Sequence, residues 1–396
     1  MVQDIIHFME DCPTPYHFVK TTTELLKNSG FDCVQESFKD ISDLPDKGYI
    51  VRSNRCILAY QKGGIESSVV TCTNIDSPCL RFSNFGNNII FNFNNDDKIL
   101  LSSFIDRDLR VCGMIYLQDG KERLFDSIEG VAILPSSSPY YENSLTPSID
   151  LNKITPVIGI NPEKSIIEYI AEKLNLSSSK EIESWDLYLI DAENPNIIGS
   201  NKDFICGHGI NNLGSSYLAL LSFLKSKPTN TLKVFVAFNN EEIGHNTIVS
   251  AESNFLMNFF EKIHSEPGKL ISFLSKSYIL TINNSEATHP NYKDKINSPI
   301  LGNGVVINNS ISSNNILNFY LIKKIAKNIN IPLQFIFNKN DESLGAIISK
   351  TTGIYTIELG LAQLSMHSFR GTIAKKDLEY LTKLLIEIYS TNVIKN

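Results

Sequence analysis

No apolar run in this 396-residue chain approaches the roughly 20 residues that a membrane-spanning helix needs; residues 217–224 are among the longest. No long basic run is present and the net charge is −7, so nothing in the charge pattern points to nucleic acid. The seven cysteines are irregularly spaced and form no CxxC pair, which speaks against a disulfide framework and for free thiols in a reducing compartment. Internal repeats are absent. So are a phosphate-cradling GxxxxGK and a GxGxxG after a strand, which sets nucleotide-binding classes aside. The opening MVQDIIHFMEDC carries early acids and only a short apolar stretch, unlike a signal peptide, and a cytoplasmic location is expected. What remains is ordinary for a soluble protein: 42% hydrophobic and 20% charged residues, with a length that suggests two domains.

The informative stretch is Phe238-Asn239-Asn240-Glu241-Glu242-Ile243-Gly244-His245. It follows the apolar run 233–237 (KVFVA), which alternates too little for a half-solvated strand and reads as a buried one. Ligands of open α/β sheets bind at the carboxyl ends of such strands. Two adjacent carboxylates there can divide the work, one holding a metal and the other moving a proton. An isolated Glu-Glu pair is more often a solvated turn, so the rest of the chain must decide.

Residues 2–29 read as a helix interrupted by Pro13 and Pro15 that resumes at His17. Strands are expected at 57–60 and 69–75, the second running into Asp76-Ser77-Pro78. From Arg81 to about Gly199 short β-like pieces (88–93, 114–117, 155–160) alternate with polar loops and one helix near 163–174. After Gly199 helices (212–225, 247–264, 313–329, 342–351, 375–391) alternate with strands (233–238, 277–282, 304–307, 333–337, 354–359). The expected fold is α/β, a mainly parallel sheet flanked by helices and interrupted by a β-rich insert. The division is 1–80 and 200–396 for the sheet domain and 81–199 for the insert. Leu378, Leu381, Leu384, Leu385 and Ile388 form one stripe on the last helix, which should pack on the sheet.

Four collinear stretches together resemble the M18 family of metalloaminopeptidases, the aspartyl aminopeptidases. Asp76-Ser77-Pro78-Cys79-Leu80-Arg81 is similar to the family's HTDSPCLR, and Phe104-Ile105-Asp106-Arg107-Asp108-Leu109 to its LDRDL. Asn239-Asn240-Glu241-Glu242-Ile243-Gly244 is similar to DNEEVGS, and Met366-His367-Ser368-Phe369-Arg370 to MHSxRE. The segments Pro13-Thr14-Pro15-Tyr16-His17 and His289-Pro290-Asn291-Tyr292 fit as well. The resemblance implies a zinc-aminopeptidase-like domain, a dimerisation role for the insert, and a dimer-based homo-oligomer that extends to a tetrahedral dodecamer.

The resemblance also implies a two-metal site. It places the general base at Glu241, the orienting carboxylate at Asp76, and metal ligands at Glu242 and His367. Three further ligand positions carry amides: Asn74 for a histidine, Asn211 for the bridging aspartate and Asn283 for the last aspartate. On the substrate side, Glu286 stands for a histidine and Asn308 for a lysine. His245 and His289 read as bystanders, and Cys72, Cys79 and Cys206 occupy no ligand position. At 4 Å and an effective dielectric near 20, each carboxylate–dication pairing is worth roughly 8 kcal/mol before desolvation. An amide oxygen suits calcium better than zinc.

The expectation from these losses is a catalytically inactive homologue. It would have no cofactor, or at most one weakly held zinc, and a structural or partner-binding role, docked on a protein or a larger cytosolic particle. The alternative is a weak or single-metal aminopeptidase that removes acidic residues from peptide N-termini.

Overall fold

Residues 232–238 (LKVFVAF) are buried at every position, as a strand covered on both faces must be. Even Lys233 is buried, its Nζ reaching Ser226 Oγ (2.9 Å) and the Lys227 carbonyl at the end of the preceding helix. The computed structural model describes residues 1–85, 88–93, 100–136, 155–160, 164–292, 298–308, 316–337 and 343–391.

Leu232–Phe238 lies in a nine-stranded mixed sheet. Its four consecutive inner strands, Leu232–Phe238, Ser68–Asn74, Tyr278–Ile282 and Thr356–Gly360, run parallel. Lys47–Arg52 and Cys56–Gln61 extend one side as an antiparallel hairpin. On the other side Val305–Asn308 pairs antiparallel with Thr356–Gly360 and parallel with Leu333–Ile336. Helices Val2–Asp11, Pro15–Asn28, Ser215–Lys225 and Lys375–Ser390 cover one face, and Phe255–Ile263, Pro267–Lys276 and Leu344–Thr352 the other. The Leu378, Leu381, Leu384, Leu385 and Ile388 stripe is fully buried against the first group. Among the described residues no helix is long and apolar enough to cross a membrane.

Among the helix boundaries that differ from the pattern-based expectation, two have a local cause. The second helix begins at Pro15 instead of His17, because proline suits the first helical position and the Thr14 hydroxyl accepts the His17 N–H. The stretch 247–254 is turns, and helix starts only at Phe255. There the Ser250 hydroxyl accepts the Thr247 N–H and donates to backbone carbonyls, a local bonding that competes with helix. Residue 342, the expected start of one helix, lies outside the described residues, as do 313–315.

A second, antiparallel sheet of six strands is built from Leu80–Phe85, Asn88–Phe93, Asp108–Leu117, Glu122–Asp126, Ala132–Ile133 and Ile182–Asp191. The expected strand at 155–160 is reduced to one bridge between Val157 and Ile133. A third sheet of five short strands joins Asn196–Ile198 and Phe204–Gly207 to Gly371–Ala374, Ala362–Leu364 and Ser285–Glu286.

Asp186 ties the layers together. Its carboxylate takes two bonds from Arg81 (2.6 and 2.7 Å) and one from the Tyr16 hydroxyl (2.7 Å), with Arg55 at 3.9 Å. Helix, antiparallel sheet and hairpin turn therefore meet on one buried anion. Asp186→Ala leaves the Arg81 guanidinium and the Tyr16 hydroxyl without their acceptor and is expected to cost about 3 kcal/mol, read as a lowered midpoint in chemical denaturation. A loss below about 1 kcal/mol would show that the network is dispensable.

Candidate active site

Phe238 pairs with Asn74 at the last rung of two parallel strands, so the loops that follow leave the same sheet edge. The Ile75 N–H extends the pairing by one bond to the Phe238 carbonyl (2.9 Å). Asp76 and the pair Glu241–Glu242 thereby face each other, and the Glu242 N–H donates to Asp76 Oδ2 (2.9 Å). Asn240 and His245 hold the turn in left-handed backbone (φ 67° and 61°). The Asn240 amide reaches Thr247 Oγ1 (2.9 Å) and its carbonyl accepts the His245 N–H.

Glu242 is 3% exposed and its Oε2 lies 3.7 Å from His367 Nδ1. His367 sits in the loop between Ala362–Leu364 and Gly371–Ala374. Glu242, His367, Asn211, Asn212, Ser77 and Gln363 line one narrow cavity. Glu241 is part-buried beside it, and the side chains of Asn212 and Asn74 work to lower its pKa. Asn212 also donates to the Asp76 carbonyl (2.6 Å). Burial, then the charges of Glu242 and Asp76, raise Glu241 well above the ordinary carboxylate range. Asp76 is pushed up to about 7, first by burial and then by Glu242, while the backbone N–H groups of Glu242 and Glu241 oppose the shift.

The motif residues thus come together: Asp76, Glu241, Glu242 and His367 with Asn74 and Asn211 around them. Asn211 Oδ1 accepts the Asn284 N–H (2.9 Å), and Asn283 stands at the end of the adjacent strand Tyr278–Ile282. Asn308 is turned to a different partner, donating to Glu358 Oε1 (2.6 Å), and Glu286 is exposed. His289 is exposed and accepts the Asn291 N–H, and His245 is buried in the turn. Cys72 and Cys79 are buried thiols that burial pushes far up, unsuited to act as thiolate ligands. Periodicity missed Asn212, Gln363 and Glu358. Each is a neutral or lone polar residue whose role exists only through neighbours distant in sequence.

The residues admit a metal on the evidence of their own unmet demands. Asn74 Oδ1, Asp76 Oδ1, Glu241 Oε2 and Asn283 Oδ1 are buried without a hydrogen-bond partner. Among the described residues no Lys or Arg forms an ion pair with Asp76, Glu241 or Glu242, and His367 alone stands opposite them. Two donors of a tetrahedral zinc, each about 2.0–2.2 Å from it, lie about 3.4 Å apart, close to the Glu242–His367 separation. Among the described residues, however, no group of three or more His, Cys, Asp or Glu side chains forms a ligand set. The donors fit one ion, completed by an amide oxygen or water.

Two adjacent carboxylates and a histidine at the carboxyl edge of a largely parallel sheet describe a mixed α/β protein with a candidate metal site. The chain belongs to the M18 family: the family model described as Aminopeptidase I zinc metalloprotease (M18) matches residues 8–389. Aspartyl aminopeptidase 4 of Saccharomyces cerevisiae is 25% identical over 98% of this chain and 94% of its own length. Two solved structures share the fold. One is the Ape4 and Nbr1 complex (TM-score 0.86, 24% identity, 98% of this chain and 85% of that one). The other is the S. cerevisiae mApe1 dodecamer (TM-score 0.82, 21% identity, 98% and 96%).

These findings correct two expectations. A chain that is not an enzyme and needs no cofactor is at odds with a family described as zinc metalloproteases and a full-length relative named an aspartyl aminopeptidase. The charge argument failed because it priced every amide as the loss of a complete ion pairing. A catalytic zinc takes three protein ligands and leaves an open position, an amide oxygen is still a donor, and a bound cation would displace the protons that the raised carboxyls of Asp76 and Glu241 hold.

His208 borders Asp76 in a neighbouring cavity, donating from Nδ1 to the Phe369 carbonyl (3.3 Å), and burial pushes its pKa down to about 4. The unfolded chain, at about 6.5, therefore binds the proton first. The contribution of His208 to stability is complete above about pH 6.5 and is lost as the pH falls toward 4. The raised carboxyls of Asp76 and Glu241 act in the opposite sense as the pH falls, so the His208 contribution is read as the component of melting temperature that declines below pH 6.5. His208→Gln should make the decline between pH 6.5 and 5 shallower, and an unchanged slope would refute the assignment.

Proposed function

We propose that this chain is an aminopeptidase that removes acidic residues from peptide N-termini with one zinc held by Glu242, His367 and a neighbouring amide oxygen. The observation that carries the reading is the cluster of buried Asp76 and Glu242 with part-buried Glu241, which among the described residues meets one histidine and no Lys or Arg in an ion pair. A divalent cation resolves that imbalance.

When bound, zinc supplies Lewis acidity, polarising the scissile carbonyl and acidifying water. The chain's own residues do the rest. Glu241 takes the proton of the attacking water and returns it to the leaving amine, and its buried, raised carboxyl suits both halves of that task. Asn74 and Asn212 aim the Glu241 carboxylate. Asp76 fixes the turn through the Glu242 N–H, so that Glu242 and His367 face the same cavity. The acidic preference is supported by the yeast relative's name. Because Asn308 is engaged by Glu358 and Glu286 is acidic, such substrates should bind weakly.

The dodecameric mApe1 structure supports a homo-oligomer here, and the Ape4–Nbr1 complex supports a protein partner; that residues 81–199 form the dimerisation unit rests on the motif resemblance.

Purified protein should carry about one zinc per chain by elemental analysis and hydrolyse an aspartyl anilide with a high KM. Glu241→Gln should retain zinc and lower kcat by about 10²–10⁴-fold. Absence of zinc, or activity indifferent to Glu241→Gln, refutes the proposal. A further variant tests the three amides: Asn74→His, Asn211→Asp and Asn283→Asp together should raise the content to two zincs. One or two of these changes should do little, because a bridged pair couples all its arms. Two zincs on the unaltered chain would show that amides suffice for both sites.

A further inference from the structure

The loop that carries His367 is not held by the sheet whose edge it serves. His367 and Ser365 both adopt left-handed backbone (φ 57° and 59°), a conformation that costs a non-glycine residue about 1–2 kcal/mol and persists only where neighbours impose it. The imposing contacts come largely from the chain between residues 100 and 194. The Leu100 N–H donates to the His367 carbonyl itself (3.0 Å). Ser103 Oγ accepts the Phe369 N–H (2.9 Å) while donating to the Leu100 carbonyl (2.6 Å), so its hydroxyl has one orientation. The Phe104 and Phe369 rings pack at a tilt of 46°, their centroids 4.3 Å apart. Arg370, 8% exposed at its side chain, donates from Nη1 to Asp191 Oδ2 and to the Glu193 carbonyl (3.0 Å), with Glu193 Oε2 at 3.2 Å.

We infer that Ser103 and Arg370 are positioning residues: through the turn Leu101–Phe104 and the end of strand Ile182–Asp191, the antiparallel sheet sets the His367 imidazole against Glu242. The inserted sheet is thus the backrest of the metal site as well as an attachment to it. The inference rests on the zinc reading for its consequence, but the placement of the imidazole is a property of the metal-free chain. Glu242 needs no such help, because its own turn and the Asp76 carboxylate fix it. His367, 32% exposed on a short loop, does.

The test uses the full-length protein carrying Ser103→Ala, which removes the acceptor of the Phe369 N–H, or Arg370→Lys, which keeps the charge and loses the two-pronged donor. Ser103→Thr restores the hydroxyl and serves as the rescue. The first readout is the His367 ring cross-peak in NMR spectra of metal-free protein, assigned by its loss in His367→Gln. It should be a single sharp peak in the unaltered chain and in Ser103→Thr, and shifted or split in the other two. The second is zinc affinity by chelator competition, expected to weaken about 10-fold, as for loss of other groups that orient metal ligands. A merely structural role would lower the melting temperature and leave ring position and folded-state affinity unchanged, and that result overturns the inference. If the unaltered chain takes no zinc, the proposed function fails, and the ring signal alone still decides whether the insert places His367.

Discussion

The register between Leu232–Phe238 and Ser68–Asn74 is the constraint on which the rest depends. Two parallel strands that end on the same rung, Phe238 against Asn74, deliver their loops to one place. A shift of one residue would turn every side chain of one strand to the opposite face. Burial on both faces makes that shift costly: the Ser68–Asn74 and Leu232–Phe238 strands are buried throughout, each face against a different set of helices. The bond from the Glu242 N–H to Asp76 is a consequence of this register. So is the crowding of negative charge that follows.

That crowding is the main electrostatic feature of the molecule. Several other buried charges are paired: Asp186 with Arg81, Asp191 with Arg370, Arg110 with Asp126. Asp377, also buried, accepts the N–H groups of Gly302 and Gly304. The contrast with Asp76, Glu241 and Glu242 is therefore within one chain and one solvent. A buried carboxylate left without a cation either takes a proton or draws in an ion. The raised carboxyls of Asp76 and Glu241 describe the first state, and the metal-dependent reading describes the second.

The three sheets divide the work of holding that place. The large sheet brings the carboxylates. The small five-stranded sheet hangs the His367 loop beside them, and the antiparallel sheet grips that loop through Leu100, Ser103 and Asp191. An insert read from sequence as a separate β-rich unit is thus in contact with the residue that completes the site.

The sequence alone determined the elements whose signals are local. Apolar runs made the inner strands, the leucine stripe made the last helix, Thr14-Pro15 started the second, and the motif stretches identified Glu241, Glu242, Asp76 and His367. The resemblance also assigned Asn74, Asn211 and Asn283 to ligand positions. Only the tertiary structure decided what those amides mean. Asn212 donates to the Asp76 carbonyl, Asn308 is drawn away by Glu358, and among the described residues no Lys or Arg forms an ion pair with the carboxylates, none of which is encoded within a few residues of the groups concerned. Net charge sums over the whole chain, whereas the affinity of a site for a cation depends on which charges share a few ångströms of low-dielectric interior, and that is settled by packing.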